Sequence, residues 1–176
     1  RNHSSAASDV YKRQVSGGST EGSYFQDMTV TDRSGNSIDS YNVLGYIEGS
    51  DKANELLVIT SHLDHIGVEA DGQINNGADD DGSGTVAMME IAEAFIMAKE
   101  DGNGPRRSVL FLHVSAEEKG LLGSKYYTDN PIYPLTNTVA NLNIDMIGRV
   151  DSLHIEQPDY IYCLLYTSPS PRDIGE

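Results

Sequence analysis

An α/β sheet with helices packed on its faces is the fold class this sequence predicts, and three observations predict it. Residues 56–60 and 108–114 are continuous apolar runs of strand length, the pattern of strands buried on both faces. Residues 85–99 carry Met88, Ile91, Ala92, Phe95 and Ile96 at helical spacing, which marks one buried helix face. Strand and helix signals then alternate along the chain, as they do where helices cover both sides of a sheet.

The elements follow in order. The Gly/Ser-rich stretch 15–22 reads as a linker. Residues 24–31 and 37–48 alternate apolar and polar side chains around residues 32–36, which predicts a β-hairpin with a glycine-containing turn. The two buried strands come next, with the helix over 85–99 between them. A shorter helix is predicted over 119–127, and a third strand, interrupted by polar residues, over 137–144.

The two ends do not read as protein. Residues 9–14 and 163–168 can be encoded by DNA strings that are reverse complements of each other, and residues 4–14 and 163–173 resemble translated sequencing adapters. The expected division is therefore an adapter-derived tail at 1–14, a partial catalytic domain at 15–162 truncated at both ends, and a second tail at 163–176.

Composition narrows the function. Asp and Glu number 27 against 12 Lys and Arg, a net charge of −15, which disfavours nucleic acid and anionic membrane as partners. The single cysteine, Cys163, lies in the adapter-like tail, so a disulfide framework and a cysteine nucleophile are both excluded. No apolar run approaches a membrane span.

Four short motifs carry the chemistry: His62 with Asp64, the run Asp79, Asp80 and Asp81, the pair Glu117 and Glu118, and Asp145. On the predicted map His62, Glu117, Glu118 and Asp145 fall at the carboxyl ends of strands, where open α/β sheets bind ligands. Asp80 lies in a glycine-rich loop entering the helix. Carboxylates converging on one sheet edge need a cation, because like charges packed together are costly. Nitrogen and hard oxygen donors without a thiolate suit catalytic rather than structural zinc. Residues 79–90 also match the spacing of a calcium loop, but an EF-hand needs a helix just before the loop, and residues 71–77 do not read as one.

The stretches 61–67, 76–84, 115–124 and 143–147 resemble the ordered motifs of the co-catalytic zinc aminopeptidase family, which includes glutamate carboxypeptidase-type peptidases and glutaminyl cyclases. The strand at 41–45 resembles the family's upstream strand. The resemblance implies a three-layer α/β/α domain with a mixed sheet, of the zinc-exopeptidase type. It implies His62 and Asp145 as ligands of one zinc, Glu118 as a ligand of the other, and Asp80 as the carboxylate bridging both. Asp64 would accept a hydrogen bond from the His62 ring, Glu117 would be the general base, and the Asp80–Asp81 peptide would be cis.

Other residues are expected to be structural. His65 reads as a loop residue, His113 as a satisfied core histidine, and Asp79 and Asp81 as residues that shape the loop. Met88, Met89 and Phe95 read as core. The family's remaining zinc histidine comes further downstream, and His154 is not expected to replace it. The expectation is thus a two-zinc aminopeptidase acting on peptides, with 1–176 alone inactive and a weak zinc binder. A carboxypeptidase, a glutaminyl cyclase relative and a non-catalytic ectodomain of the same fold are the alternatives. The resemblance also implies a secreted or periplasmic location.

Overall fold

The computed structural model describes residues 15–16, 18 and 23–149. Both adapter-like tails, His154 and the end of the expected domain at 162 lie outside the described residues. The elements are β1 (Val15–Ser16), β2 (Phe25–Thr31), β3 (Ser37–Ile47), β4 (Lys52–His62), β5 (Gly67–Val68), β6 (Ile74–Asn75), α1 (Gly82–Glu100), β7 (Arg107–Val114), α2 (Leu122–Asp129) and β8 (Thr138–Asn143).

The main sheet runs β1–β3–β7–β4–β8, with β2 also paired to β3. Strands β2 and β3 form the expected hairpin. Its turn is closed by Asp32, whose Oδ1 accepts from the backbone N–H of Ser34 and of Asn36, both at 2.8 Å. Strand β3 lies antiparallel to β7, whereas β7, β4 and β8 run parallel. The sheet is therefore mixed, and its three parallel strands deliver their carboxyl ends to one edge.

Side chains alternate between the two faces along each strand, and each face has its own helix. On one face Ile47, Ile59, Val109 and Phe111 pack against Met88, Ala92 and Ile96 of α1. On the other, Leu44, Leu56, Val58, Leu110, Leu112 and Val114 pack around Tyr127 of α2. This is the predicted three-layer arrangement. Each large apolar side chain fully buried here contributes roughly 1.5–3 kcal/mol. Met88 is completely buried, and Phe95 meets Phe111 edge-on at 6.1 Å between ring centroids, so both belong to the core.

Two local features differ from expectation. Helix α1 starts earlier than residue 85 because Asp81 caps it, its Oδ1 accepting the Gly84 N–H at 2.9 Å. Val15 and Ser16, read as linker, pair with Tyr46 and Gly45 as a short antiparallel strand. That pairing joins backbone to backbone, so side-chain composition does not reveal it.

Candidate metal centre

His62 is the last residue of β4 and is almost wholly buried. Its Nδ1 lies 2.9 Å from the backbone carbonyl of Asp64. A carbonyl only accepts, so Nδ1 carries the proton and the neutral ring turns its Nε2 lone pair outward. That Nε2 lies 3.0 Å from Oδ1 of Asp80 and 3.8 Å from Oδ1 of Asp145. A lone pair facing two carboxylates is repulsive unless a proton or a cation lies between them. Burial pulls the His62 pKa down, but the Asp64 carbonyl and the charges of Asp145, Asp81 and Glu117 outweigh it and leave the pKa raised.

A second cluster shares Asp80. His65, Asp80 and Glu118 each present a donor atom, and in both triads all donors lie within 4.8 Å of one another. His65 Nδ1 and Glu118 Oε1 approach to 2.8 Å. Neither atom has a hydrogen-bond partner, although both are buried. Two buried polar atoms this close, paired with each other only when the ring is protonated, fit a site that can also hold a cation. The two triads, each with one imidazole, one carboxylate of its own and the shared Asp80, therefore have a donor set that fits zinc.

The three consecutive aspartates do three different jobs. The Asp80–Asp81 peptide is cis, as the resemblance implies. Asp80 faces the imidazoles, and its neighbours grip backbone. Asp81 is buried; its Oδ2 accepts from His62 N–H at 3.1 Å and its Oδ1 from Met146 N–H at 3.3 Å. Asp79 Oδ1 accepts from Gly148 N–H at 2.7 Å, and Ser83 Oγ accepts from Ile147 N–H at 3.1 Å. The acidic loop thereby holds the segment that presents Asp145, while Ile144 N–H donates to the Thr60 carbonyl at 2.8 Å. Burial raises the Asp81 pKa against the pull of those N–H donors. Gly84 is required at the crossing point, because a Cβ there would run into the Asp81 carboxylate and lie 2.7 Å from the Ile144 carbonyl.

Asp64 departs from its expected role. Its Oδ1 is 3.8 Å from His62 Nδ1, beyond hydrogen-bond range, and the residue's carbonyl accepts the ring N–H instead. The carboxylate reaches across to the loop after β7, accepting from Glu117 N–H at 3.0 Å and Glu118 N–H at 3.2 Å. Asp64 thus orients the ring with its backbone and the glutamate pair with its side chain.

Glu117 stands outside both triads but within their field. Burial raises its pKa; His62 opposes this, while Glu118, Asp145 and Asp64 reinforce it. Burial likewise raises the Asp145 pKa, with His62 opposing and Asp80 and Asp79 adding to the rise. Ala116, just before Glu117, and Met146, just after Asp145, are held at φ 56° and 53°. Such left-handed non-glycine residues cost about 1–3 kcal/mol each and cluster at functional sites.

The remaining expectations divide. His113 is buried and its Nδ1 lies 3.0 Å from Ser61 Oγ, a satisfied core histidine whose pKa burial lowers to about 4. The calcium-loop alternative fails, because residues 82–90 are helical and Asp81 is engaged as the cap. His65 lies in the loop after β4, as read from the sequence, and its side chain stands beside Asp80 and Glu118.

Parallel strand ends that gather two overlapping histidine–carboxylate triads define an α/β protein with the donor set of a metallohydrolase. Residues 42–157 match Peptidase family M28, and the chain belongs to that family. It is similar to leucine aminopeptidase 1 of Fusarium vanettenii, 36% identical over 125 residues, 69% of this chain and 31% of the relative. It is also similar to the solved structure of a zinc aminopeptidase from Bacillus subtilis, with TM-score 0.51 and 30% identity over 62% of this chain and 25% of that one. A Porphyromonas gingivalis glutaminyl cyclase shares the fold, with TM-score 0.60 and 21% identity over 83% of this chain and 53% of that one. The match spans between 14% and 31% of the length of the curated relatives.

Proposed function

We propose that the whole protein is a two-zinc aminopeptidase that releases N-terminal residues from peptides. The observation that carries this reading is Asp80, whose carboxylate belongs to both histidine–carboxylate triads. Bound zinc, held by His62, Asp80, Asp145 and Glu118, would supply Lewis acidity and lower the pKa of a water.

The chain's own residues do the rest. His62, whose Nδ1–H donates to the Asp64 carbonyl, offers Nε2 beside Asp80 and Asp145. Asp80 supplies the shared charge, and Asp145 and Glu118 supply one carboxylate to each side. Glu117, placed by the grip of Asp64 on its N–H, accepts a proton from the attacking water and returns it to the leaving amine. Its raised pKa strengthens it as a base toward that water. The excess of carboxylates also suits a substrate whose free N-terminus is an ammonium ion, and the resemblance to leucine aminopeptidase 1 supports a peptide substrate.

Zinc-dependent release of chromophore from aminoacyl-p-nitroanilides by the whole protein tests the reading. Glu117→Gln should lower kcat by about 10²–10⁴-fold with zinc content unchanged. Cyclisation of an N-terminal glutamine, with no amide hydrolysis, would replace the peptidase reading with a cyclase.

A further inference from the structure

We propose that Asn42 is a positioning residue for the reaction: its buried side-chain amide pins together the two ends of the loop that carries Glu117 and Glu118. The inference rests on the peptidase reading above and extends it to a residue of β3 that stands outside both triads.

Glu117 and Glu118 lie between β7, which ends at Val114, and α2, which begins at Leu122. The path between them is costly to hold. Ala116 and Leu121 sit at φ 56° and 60°, and Gly120 at 118°. Left-handed non-glycine residues persist only where the surroundings impose them. The loop's own main-chain bonds run from Gly120 N–H and Leu121 N–H to the Glu117 carbonyl, both at 2.8 Å, and from Leu122 N–H to the Ala116 carbonyl at 3.1 Å. These bonds close the loop on itself and do not fasten it to the sheet.

Asn42 supplies that fastening. Its Oδ1 accepts the Ser115 N–H at 3.2 Å, and its Nδ2 donates to the Gly123 carbonyl at 2.9 Å. One amide thus grips the chain just before the glutamates and again in the first turn of α2. The two ends are in close contact at this point. A Cβ on Gly123 would run into the Ser115 carbonyl and lie 2.6 Å from Asn42 Oδ1, so the joint requires glycine.

The amide is held in one orientation from its other side. Asn42 is fully buried and Gln26 nearly so. Gln26 Nε2 donates to the Asn130 carbonyl at 2.8 Å, which leaves Gln26 Oε1 to accept from Asn42 Nδ2 at 3.0 Å. Both N–H groups of Asn42 are then spent on acceptors, and its oxygen faces the Ser115 N–H. A flipped amide would set oxygen against oxygen at Gln26 and Gly123. Asp64 grips the same loop at its middle, through the N–H groups of Glu117 and Glu118. The glutamates are therefore suspended between two anchors, Asp64 at the centre and Asn42 at the ends.

The test is hydrolysis of an aminoacyl-p-nitroanilide by the whole protein with zinc in excess, combined with hydrogen exchange read by mass spectrometry over residues 115–123. Asn42→Ala removes all three bonds, whereas Asn42→Asp keeps the size and the acceptor but cannot donate to Gly123 as a carboxylate. Both should lower kcat per folded molecule by about 10²-fold, the loss that a misplacement of ~1 Å produces, with KM unchanged. Exchange over 115–123 should be slow in the wild type and should quicken in both variants more than in β4 or β7. Leu56→Ala, a cut in the core well before the carboxyl end of β4, should lower the melting temperature and leave kcat per folded molecule unchanged. Wild-type kcat in either folded Asn42 variant would overturn the proposal and leave the peptidase reading standing. Free exchange over 115–123 in the wild type would overturn it without any variant having to fold. A wild type that hydrolyses no amide would overturn the peptidase reading and this one with it.

Discussion

The Nε2 of His62 stands 3.0 Å from Oδ1 of Asp80, while the other nitrogen of the same ring is committed to the Asp64 carbonyl at 2.9 Å. The tautomer is thereby set by backbone, and the free lone pair is aimed at the one carboxylate that both triads share. The chemistry proposed for the site depends on this pairing.

Asp80→Asn removes the shared charge while keeping the shape of the side chain. Both zinc equivalents should weaken together, each by more than about 100-fold, since even outer partners of a ligand are worth 10–100-fold. Isothermal titration with zinc reads this directly. A variant that loses only one equivalent would show that Asp80 does not bridge.

Asp64→Asn should act on the loop after β7. The carboxylate accepts from the N–H groups of Glu117 and Glu118, and charge-assisted bonds of this kind are worth about 1.5–3 kcal/mol each. Urea unfolding should show a loss of about 2 kcal/mol, and kcat of the whole protein should fall because Glu117 is no longer held. Zinc bound at His62 should be little affected, because the Asp64 carbonyl survives the substitution. Loss of that zinc would show that the carboxylate, not the carbonyl, orients the ring.

His113 makes stability depend on pH. Burial lowers its pKa from 6.5 to about 4, so between those values the unfolded chain binds a proton that the folded chain refuses. Its contribution is complete above pH 6.5 and is lost as pH falls toward 4. The full shift corresponds to about 3 kcal/mol. Burial also raises the pKa of Asp81, Glu117 and Asp145, which acts in the opposite direction, so the test compares wild type with His113→Gln. Unfolding free energies at pH 7 and pH 4.5 should fall more steeply in the wild type. Equal slopes would mean that His113 is protonated in the fold.

The parallel strands and α1 were legible because burial on two faces writes continuous apolar runs, and a helix against a sheet writes a 3.6-residue period. His62, Glu117, Glu118 and Asp145 were legible because they follow the ends of strand runs, and Asp80 because it lies in the glycine-rich loop entering the helix. What escaped is contact that crosses the chain or belongs to backbone. Spacing cannot tell whether the carbonyl or the carboxylate of Asp64 meets His62, since both are within reach. The grip of Asp79, Asp81 and Ser83 on residues 146–148 joins segments more than sixty residues apart. The position of His65 depends on Gly77, twelve residues on, folding back to leave it room. The pairing of Val15 and Ser16 with β3 runs through main-chain atoms alone.

A zinc-edge anomalous difference map from crystals of the zinc-loaded protein tests the central claim most directly. The account predicts an anomalous peak bounded by His62 Nε2, Asp80 and Asp145, with a second on the other side of Asp80. Zinc found elsewhere, with His62 still in contact with Asp80 and nothing between them, would contradict it.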